Sequence, residues 1–197
     1  PPSTAPIAHW KFDETSGTTA IDSVGGHDGT LVGDASWAPG EVDGSLNLDG
    51  SGDRVDVSGL IDSPSSLTIA AWVNLSAAGF NGAEAVSLGN NVILRLDNVF
   101  FDTYASFWDG SNWQRTRSGQ FLAGSGWHHV AYTHDDVANQ QFLYIDGTEA
   151  GSTTFSTSIS YSQGSNTTIG AHGDGNSGYD FTGQIDDVRI YDVALTA

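Results

Sequence analysis

The residues of this chain best suited to chemistry are short oxygen donors gathered in glycine-rich segments. The first segment, 22–28, reads Asp-Ser-Val-Gly-Gly-His-Asp. Calcium in proteins is bound by about six to eight oxygen atoms of carboxylates, carbonyls and water. A carboxylate followed by a glycine-rich turn can supply a side-chain oxygen and inward-pointing carbonyls, so this segment predicts a calcium site. The alternative is that Asp22 only caps a turn.

A second oxygen-rich segment covers residues 174–180. Asp174, Asn176 and Asp180 occupy its first, third and seventh positions, a spacing typical of the front of a looped calcium site. The segment lacks the glutamate at the twelfth position that completes an EF-hand. It therefore predicts either a second calcium loop or a solvated polar loop between two strands.

Carbohydrate binding is the chemistry suggested by aromatic residues near turns. Trp108 and Trp113 flank an Asp-Gly turn that begins at Asp109, and His172 and Tyr179 lie in the other polar segment. Sugars present apolar CH patches that stack on aromatic rings, and their hydroxyls bond to polar side chains. We therefore predict ligand contacts for these five residues. The alternative for the two tryptophans is a cross-strand pair that only stabilises a hairpin.

The charge balance excludes several classes of partner. Six Lys and Arg stand against 24 Asp and Glu, which gives a net charge of −18. Nucleic-acid binding needs many basic residues, so we expect no nucleic-acid partner. An anionic membrane would repel the chain, and no apolar run approaches the roughly 18 residues of a membrane helix. Cysteine is absent, which excludes disulfides and thiol catalysis and leaves oxygen-ligated metal as a stabiliser.

The elements that must position these residues are short β-strands. Apolar runs alternate with a period near two, as in Leu67–Leu75 and Phe181–Tyr191, and Asp-Gly or Asn-Gly dipeptides separate many of them. No stretch has a helical period of helical length. The pattern predicts an all-β fold, a jelly-roll sandwich of two stacked antiparallel sheets. We expect a linker-like lead-in over residues 1–6 and a single domain over 7–197.

Seven segments of the chain resemble, in order, the signatures of laminin-G-like domains in the concanavalin A-like lectin/glucanase superfamily. They are residues 8–14, 20–31, 48–55, 126–131, 143–147, 169–170 and 181–191. The resemblance spans about residues 7 to 195 and implies the jelly-roll fold. It leaves function open, because this superfamily contains lectins, carbohydrate-binding modules, adhesin domains, glycosidases and spacers.

The resemblance also implies a set of calcium ligands. Asp22 and Asp186 are expected to share one ion, with the carbonyls of Gly25 and His27 as supporting ligands. The alternative is that Asp186 pairs with a cation, either Arg189 or Lys11.

Asp187 and the segment Asp49–Asp53 are two further acidic features that could bind a metal ion. Asp186 and Asp187 point to opposite faces in an ideal strand, so both could bind one ion only if the strand contained a bulge. The segment Asp49–Asp53 also has the look of a metal loop, but it resembles a structural turn of the family.

Catalysis is disfavoured by the positions of the glutamates. Glucanases of this superfamily carry two glutamates in one strand, with an aspartate between them and both carboxyls in the groove. The four glutamates here stand far apart, at positions 14, 41, 84 and 149. We therefore predict no enzymatic activity and no catalytic residues, and a glycoside hydrolase is the least favoured alternative.

The sequence thus predicts a calcium-dependent carbohydrate- or ligand-binding domain. We expect it to be a monomeric module of a larger secreted or cell-surface protein, such as a bacterial adhesin or a carbohydrate-active enzyme. Its partner would be a glycan or another cell-surface ligand. The alternative from a different class is a structural or protein-interaction module.

Overall fold

Sixteen β-strands account for about half of residues 4–196, the part of the chain described by a computed structural model. The strands are β1 Ala8–Trp10, β2 Thr19–Ala20, β3 Gly29–Val32, β4 Ser36–Pro39, β5 Gly44–Asp49, β6 Arg54–Val57, β7 Leu67–Ala77, β8 Ala83–Leu88, β9 Val92–Asn98, β10 Asp102–Trp108, β11 Trp113–Arg117, β12 His128–Asp135, β13 Gln140–Ile145, β14 Thr148–Thr154, β15 Thr167–Ile169 and β16 Thr182–Tyr191. A short 3₁₀ turn, Ser177–Tyr179, is the remaining regular element there.

The strands form two eight-stranded sheets in which neighbouring strands run antiparallel. The first sheet has the order β14-β13-β12-β7-β16-β5-β4, with β1 also paired to β16. The second has the order β11-β10-β9-β8-β15-β6-β3-β2. This two-sheet sandwich confirms the predicted all-β jelly-roll fold. Residues 1–3 of the predicted lead-in, and residue 197, lie outside the described residues.

Alternating side chains build the core between the sheets. In β9, Val92, Leu94 and Leu96 join the buried apolar cluster, so Ile93 and Arg95 point to the opposite face of the second sheet. We call this the outer face. Removal of the inward side chains from water stabilises the sandwich by about 25 cal/mol per Å² of buried apolar surface. The described residues contain no helix long and apolar enough to cross a membrane.

Candidate functional site

One transverse row of residues crosses the outer face of the second sheet through seven strands. The strand register aligns each member with the next. The row consists of Thr30, Asp56, Thr168, Ser87, Ile93, Ser106 and Arg115. All but Ile93 have polar side chains. The four central members of the row are buried, whereas Thr30, Asp56 and Arg115 near its two ends reach solvent and can offer hydrogen-bonding groups to a ligand.

Two hollows lie on the outer face, beneath the segment that joins β15 to β16. The larger hollow, of about 530 Å³, is lined by Asp28, Arg54, Asp56 and Asn166, among others. The smaller hollow, of about 140 Å³, lies over β9, β10 and β11. His172 lines both hollows. They are therefore adjacent parts of one surface, with the histidine between them.

The smaller hollow is defined here as the arginine–aromatic cavity. Its lining consists of Asn90, Ile93, Arg95, Tyr104, Trp113, Arg115, His172 and Tyr179. The Tyr179 ring stacks on the His172 ring with 4.7 Å between centroids, and the Arg95 guanidinium carbon lies 3.9 Å from the centre of the Tyr179 ring. These contacts fasten the wall of the cavity to its floor.

The floor of this cavity contains a buried ion pair. Both Nε and Nη2 of Arg95 donate to Oε2 of Glu84, and Nη1 donates to the Tyr104 hydroxyl at 2.7 Å. Burial alone would lower the pKa of Arg95, but the Glu84 carboxylate together with Tyr104 and Tyr179 outweighs this effect, and the pKa is raised. Arg95 is thus a fixed cation whose planar face is turned toward the aromatic wall.

The two predicted tryptophan ligands form a cross-strand pair. Trp108 and Trp113 are directly opposite in the β10–β11 hairpin, and their ring centroids are 5.7 Å apart. This confirms the pairing that we gave as the alternative to ligand contact. Trp113 also lines the arginine–aromatic cavity, so it can serve both purposes. Both rings are half-buried.

Asp109, another predicted ligand residue, is occupied by its own turn. Its Oδ1 accepts hydrogen bonds from the backbone N–H groups of Ser111 and Asn112, at 2.8 and 2.7 Å. Its Oδ2 accepts from Gln114 Nε2 and from the Thr157 hydroxyl. These bonds lower the pKa of Asp109. The residue shapes the hairpin end, and ligand contact by Asp109 remains a prediction.

The segment 174–180 is organised by bonds to protein groups. Asp174 Oδ1 contacts His172 Nδ1 at 2.7 Å and accepts the backbone N–H of Asn176. Asn176 Oδ1 accepts from Gly178 N. Asp180 Oδ2 accepts from Gly52 N in the turn between β5 and β6. These bonds fit the polar-loop alternative, and metal binding here remains a prediction.

Asp22 caps the turn that follows β2. Its Oδ1 accepts the backbone N–H groups of His9 and Val24, at 2.9 and 3.0 Å, and its Oδ2 accepts that of His27 at 3.2 Å. A carboxylate oxygen has about two acceptor sites, so three of roughly four sites are taken. Asp22 could therefore give an ion little more than one oxygen lone pair.

The two predicted carbonyl ligands lie in the same turn as Asp22. Gly25 is exposed and has a φ of +103°, a conformation open to glycine but strained for other residues. The carbonyl oxygen of His27 accepts the indole N–H of Trp10 at 2.8 Å. Calcium binding by these carbonyls remains a prediction.

Asp186 lies where one edge of β16 changes partner. Residues 182–185 pair with β5 and residues 188–190 pair with β1. Between them the strand contains a bulge, at which Asp187 has a φ of +51°. The bulge sends the two acids to different partners, since Asp187 pairs with His9 and Arg189. The proposed alternative pairing of Arg189 with Asp186 was therefore wrong.

The Asp186 carboxylate is buried and half-satisfied. Oδ2 accepts the backbone N–H of Val42 at 2.8 Å, while Oδ1 has no hydrogen-bond partner among the described residues. Burial, with a smaller contribution from the charges of Asp187 and Asp13, raises the pKa of Asp186 to about 6. A Cβ on Gly40 would lie only 2.7 Å from Oδ2, so the β4–β5 turn covers this carboxylate closely. An unpaired buried oxygen of this kind fits a bound cation.

A third acidic group consists of Asp49 and Asp53, from the segment considered above as a metal loop, and Asp34, which the sequence analysis did not select. Oxygens of Asp34, Asp49 and Asp53 lie within 4.8 Å of one another. Asp53 is buried, and its two oxygens accept the backbone N–H groups of Asp34 and Asp49. Its hydrogen bond and charge raise the pKa of Asp34. Asp53 therefore ties two turns together.

Sequence reasoning missed the basic half of the cavity. Arg95, Tyr104 and Arg115 each belong to a predicted strand or to the hairpin beside it, and none was selected. The one available signal was Arg95 within the apolar run Val92–Leu96, since a lone arginine in a buried strand indicates a paired or functional charge.

The comparisons with known proteins agree with this architecture. A laminin G family model, described as concanavalin A-like lectin/glucanases superfamily, matches residues 49–197, more than half of the chain. The chain belongs to this superfamily. No curated protein matches the sequence of this concanavalin A-like domain.

Solved structures share the fold at low sequence identity. Domain 4 of AbnA, an extracellular arabinanase from Geobacillus stearothermophilus solved with arabinotriose, superposes with a TM-score of 0.78 and 22% identity, over 97% of this chain and 94% of that one. The binding domain of botulinum neurotoxin serotype D gives 0.69 and 15%, over 98% and 49%. Trypanosoma rangeli sialidase gives 0.65 and 14%, over 99% and 32%. This concanavalin A-like domain thus spans about half and a third of the last two chains, and these similarities establish fold alone.

Proposed function

We propose that this concanavalin A-like domain is a non-catalytic carbohydrate-binding module whose ligand lies along the outer face of the second sheet. The observation that carries the proposal is the pair of adjacent hollows on that face, which share His172 in their linings. The polar transverse row runs from Thr30 to Arg115 and ends in a cavity with aromatic walls. Hydroxyl partners beside aromatic rings are the two features that sugars need.

The two hollows would bind different sugar residues of one glycan. In the arginine–aromatic cavity, Trp113 offers a ring surface to one sugar residue, and Tyr179, which is held between His172 and Arg95, forms the wall. Asn90 Oδ1 is a buried acceptor without a partner among residues 4–196. The larger hollow offers Asn166 and Thr168 to hydroxyls of the neighbouring sugars. Its volume falls in the usual range of ligand pockets, about 300–1,000 Å³.

The carboxylates on the outer face support binding over hydrolysis. Glu84 is held by Arg95 and Asp56 by Arg54. Asp174 contacts His172, and Asp28 accepts the backbone N–H of Asp22, so each of these carboxylates has a structural partner. A glycosidase needs two carboxyl groups free to act as acid and as base or nucleophile. An assay for reducing sugar release from every bound glycan tests this; turnover would replace the binding proposal with a hydrolase.

Calcium is proposed as a structural ion at Asp186. The support is the buried Oδ1, which has no donor within residues 4–196; an oxygen-preferring cation would satisfy that atom and stabilise its negative charge. Asp186 belongs to the first sheet, whereas the transverse row belongs to the second. The ion would therefore strengthen the fold, and ligand binding would depend on calcium only through stability.

The setting proposed for this module is a larger secreted or cell-surface protein. The absence of cysteine and the strongly acidic surface suit a salty, calcium-rich medium, where ions screen the self-repulsion of −18 charges. The similar arabinanase domain is described as extracellular.

A protein-interaction module is the second candidate. Phe80 and Phe100 are 66% and 62% exposed and stack edge to face, with Val99 exposed beside them. Exposed apolar groups that cluster in this way mark interaction surfaces.

A glycan array separates the two candidates. We expect the wild-type domain to bind a defined glycan class. Trp113→Ala should lose that binding, and Tyr144→Ala, on the exposed side of the first sheet, should keep it. Binding to no glycan in the presence of calcium would contradict the proposed function and favour the protein-interaction module.

A further inference from the structure

The arginine–aromatic cavity has an unusual charge for this chain. Acidic residues outnumber Lys and Arg by 24 to 6. The cavity lining nevertheless contains two arginines and no carboxylate among the described residues. The larger hollow beside it is lined by Asp28, Asp56 and Asp174. The outer face is therefore polarised, with its basic end at β9–β11 and its acidic end at β3 and β6.

Arg115 is the cation at the basic end that has no carboxylate partner. Within residues 4–196, each of the other four arginines lies within 4.0 Å of an Asp or Glu oxygen, and Arg115 does not. Its guanidinium carbon lies 4.9 Å from the centre of the Phe101 ring. The stacked ring orients the guanidinium without neutralising it.

A buried hydroxyl lies next to Arg115 in the strand register. Ser106 pairs directly with Arg115 across the β10–β11 hairpin, and both lie on the outer face. Ser106 is fully buried, and its Oγ has no hydrogen-bond partner among the described residues. The covered Ser106 hydroxyl does not line the cavity. The exposed Arg115 guanidinium also bonds to the Tyr104 hydroxyl and keeps further N–H donors for an anionic group.

We propose that the arginine–aromatic cavity takes a sugar residue bearing a carboxylate, such as a uronic or sialic acid. This inference rests on the proposed function and specifies its ligand class. The planar guanidinium of Arg115 matches a carboxylate with two parallel hydrogen bonds. The ring of the same sugar stacks against Trp113, and neutral sugars of the chain extend toward the larger hollow. The chain has a net charge of −18. Arg115, which has no carboxylate partner, gives this cavity a positive charge and makes it selective for a ligand that carries a carboxylate.

Matched pairs of acidic and neutral sugars test the proposal by calorimetry. The probes are trigalacturonate with its methyl ester, and 3′-sialyllactose with lactose. We expect at least one acidic form to bind about tenfold or more tighter than its neutral form, with affinity falling as salt rises, because a charge-assisted pair is worth about 1.5–3 kcal/mol. Arg115→Gln should abolish this preference. Lys11→Gln, which removes one exposed positive charge far along the chain, should retain it.

The possible results separate the carboxylate preference of the cavity from the carbohydrate-binding function itself. Equal binding of acidic and neutral forms, a preference that survives Arg115→Gln, or binding only to sulfated glycans would each overturn the carboxylate assignment and leave the carbohydrate-binding function in place. Failure to bind any sugar on the array would overturn the function itself. Thermal unfolding of each variant confirms that it is folded.

Discussion

The guanidinium carbon of Arg95 lies 3.9 Å from the centre of the Tyr179 ring. Arg95 belongs to β9, whereas Tyr179 belongs to the segment that crosses the outer face between β15 and β16. The contact therefore joins the sheet to the segment above it. Because the same ring stacks on His172, the wall of the cavity is already in place before any ligand arrives, which reduces the ordering cost of binding.

Tyr179→Ala is expected to weaken glycan binding by about tenfold or more. The substitution removes the ring that stacks on His172 and its cation–π contact with Arg95, which contributes about 0.5–2 kcal/mol, so the cavity wall loses its support. Tyr179→Phe keeps the ring and should bind within about threefold of wild type. Calorimetry with a glycan identified on the array measures both. Equal affinities for the Ala and Phe variants would contradict the role assigned to the ring.

Trp108 and Trp113 provide a matched pair of variants. Replacement of either tryptophan by alanine removes the same cross-strand contact. The two variants should therefore lose a similar free energy of unfolding from this contact, about 0.5–1.5 kcal/mol in addition to the loss from reduced burial. Trp113 alone of the two lines the cavity, so Trp113→Ala should lose glycan binding while Trp108→Ala keeps it. Urea unfolding and calorimetry give the two readouts. Equal loss of binding would show that the pair acts only through the hairpin.

His134 is expected to make stability depend on pH between about 6.5 and 4. Its ring is fully buried between Phe107 and Phe155, and burial lowers its pKa to about 4. Between these pH values His134 is protonated in the unfolded chain but neutral in the folded protein. The free energy of unfolding therefore falls as the pH drops through this range, by about 3 kcal/mol in total. His134→Phe should flatten that slope in urea unfolding. An unchanged slope would contradict this assignment.

Calcium at Asp186 is tested by thermal unfolding at pH 7.5. At 100 times its Kd, calcium should stabilise the folded state by about 2.7 kcal/mol and raise the Tm by roughly 5–10 °C. Asp186→Asn should abolish the rise. Asp187→Asn, which alters the neighbouring ion pair with Arg189, should keep it. A wild-type Tm unaffected by calcium or EDTA would contradict the proposal.

Asp186 should also make the stability of the calcium-free protein depend on pH. The folded pKa of Asp186, about 6, is above the ordinary value of 3.8. Its contribution to stability is therefore present at low pH and is lost as the pH rises through 6. In EDTA at pH 7.5, the Asp186→Asn variant should be at least as stable as the wild type. In the presence of calcium, the variant should be less stable than the wild type, because it lacks a ligand for the ion. A lower stability in EDTA would assign Asp186 a different role.

Local pattern was sufficient for the fold where strands are apolar and bounded by turns. The predicted runs Arg54–Val57 and Thr167–Ile169 coincide with β6 and β15. The run predicted from Val99 begins as a strand only at Asp102, because a turn occupies the residues between. β8, Ala-Glu-Ala-Val-Ser-Leu, has no alternating pattern because both of its faces are buried. β14 is a polar edge strand without an apolar stripe, so its pairing with β13 depends on the Asp146 hairpin turn.

The site was only half accessible to sequence reasoning. The position of aromatic residues near predicted turns identified Trp113, His172 and Tyr179, and the structure brings these three together. Arg95 and Arg115 join them through the register of β9, β10 and β11. Register across strands depends on long-range pairing, which no local pattern encodes. The strand bulge at Asp187 is likewise a tertiary feature, since it occurs where β16 changes partner.

The location of a bound glycan is the most direct test of the central claim. In ¹⁵N-labelled protein titrated with a glycan from the array, backbone amide shifts should concentrate in β9–β11 and in residues 172–180. The amides around His129, Tyr144 and Tyr191, on the exposed side of the first sheet, should stay in place. Shifts confined to that opposite surface, with the arginine–aromatic cavity unaffected, would contradict the account.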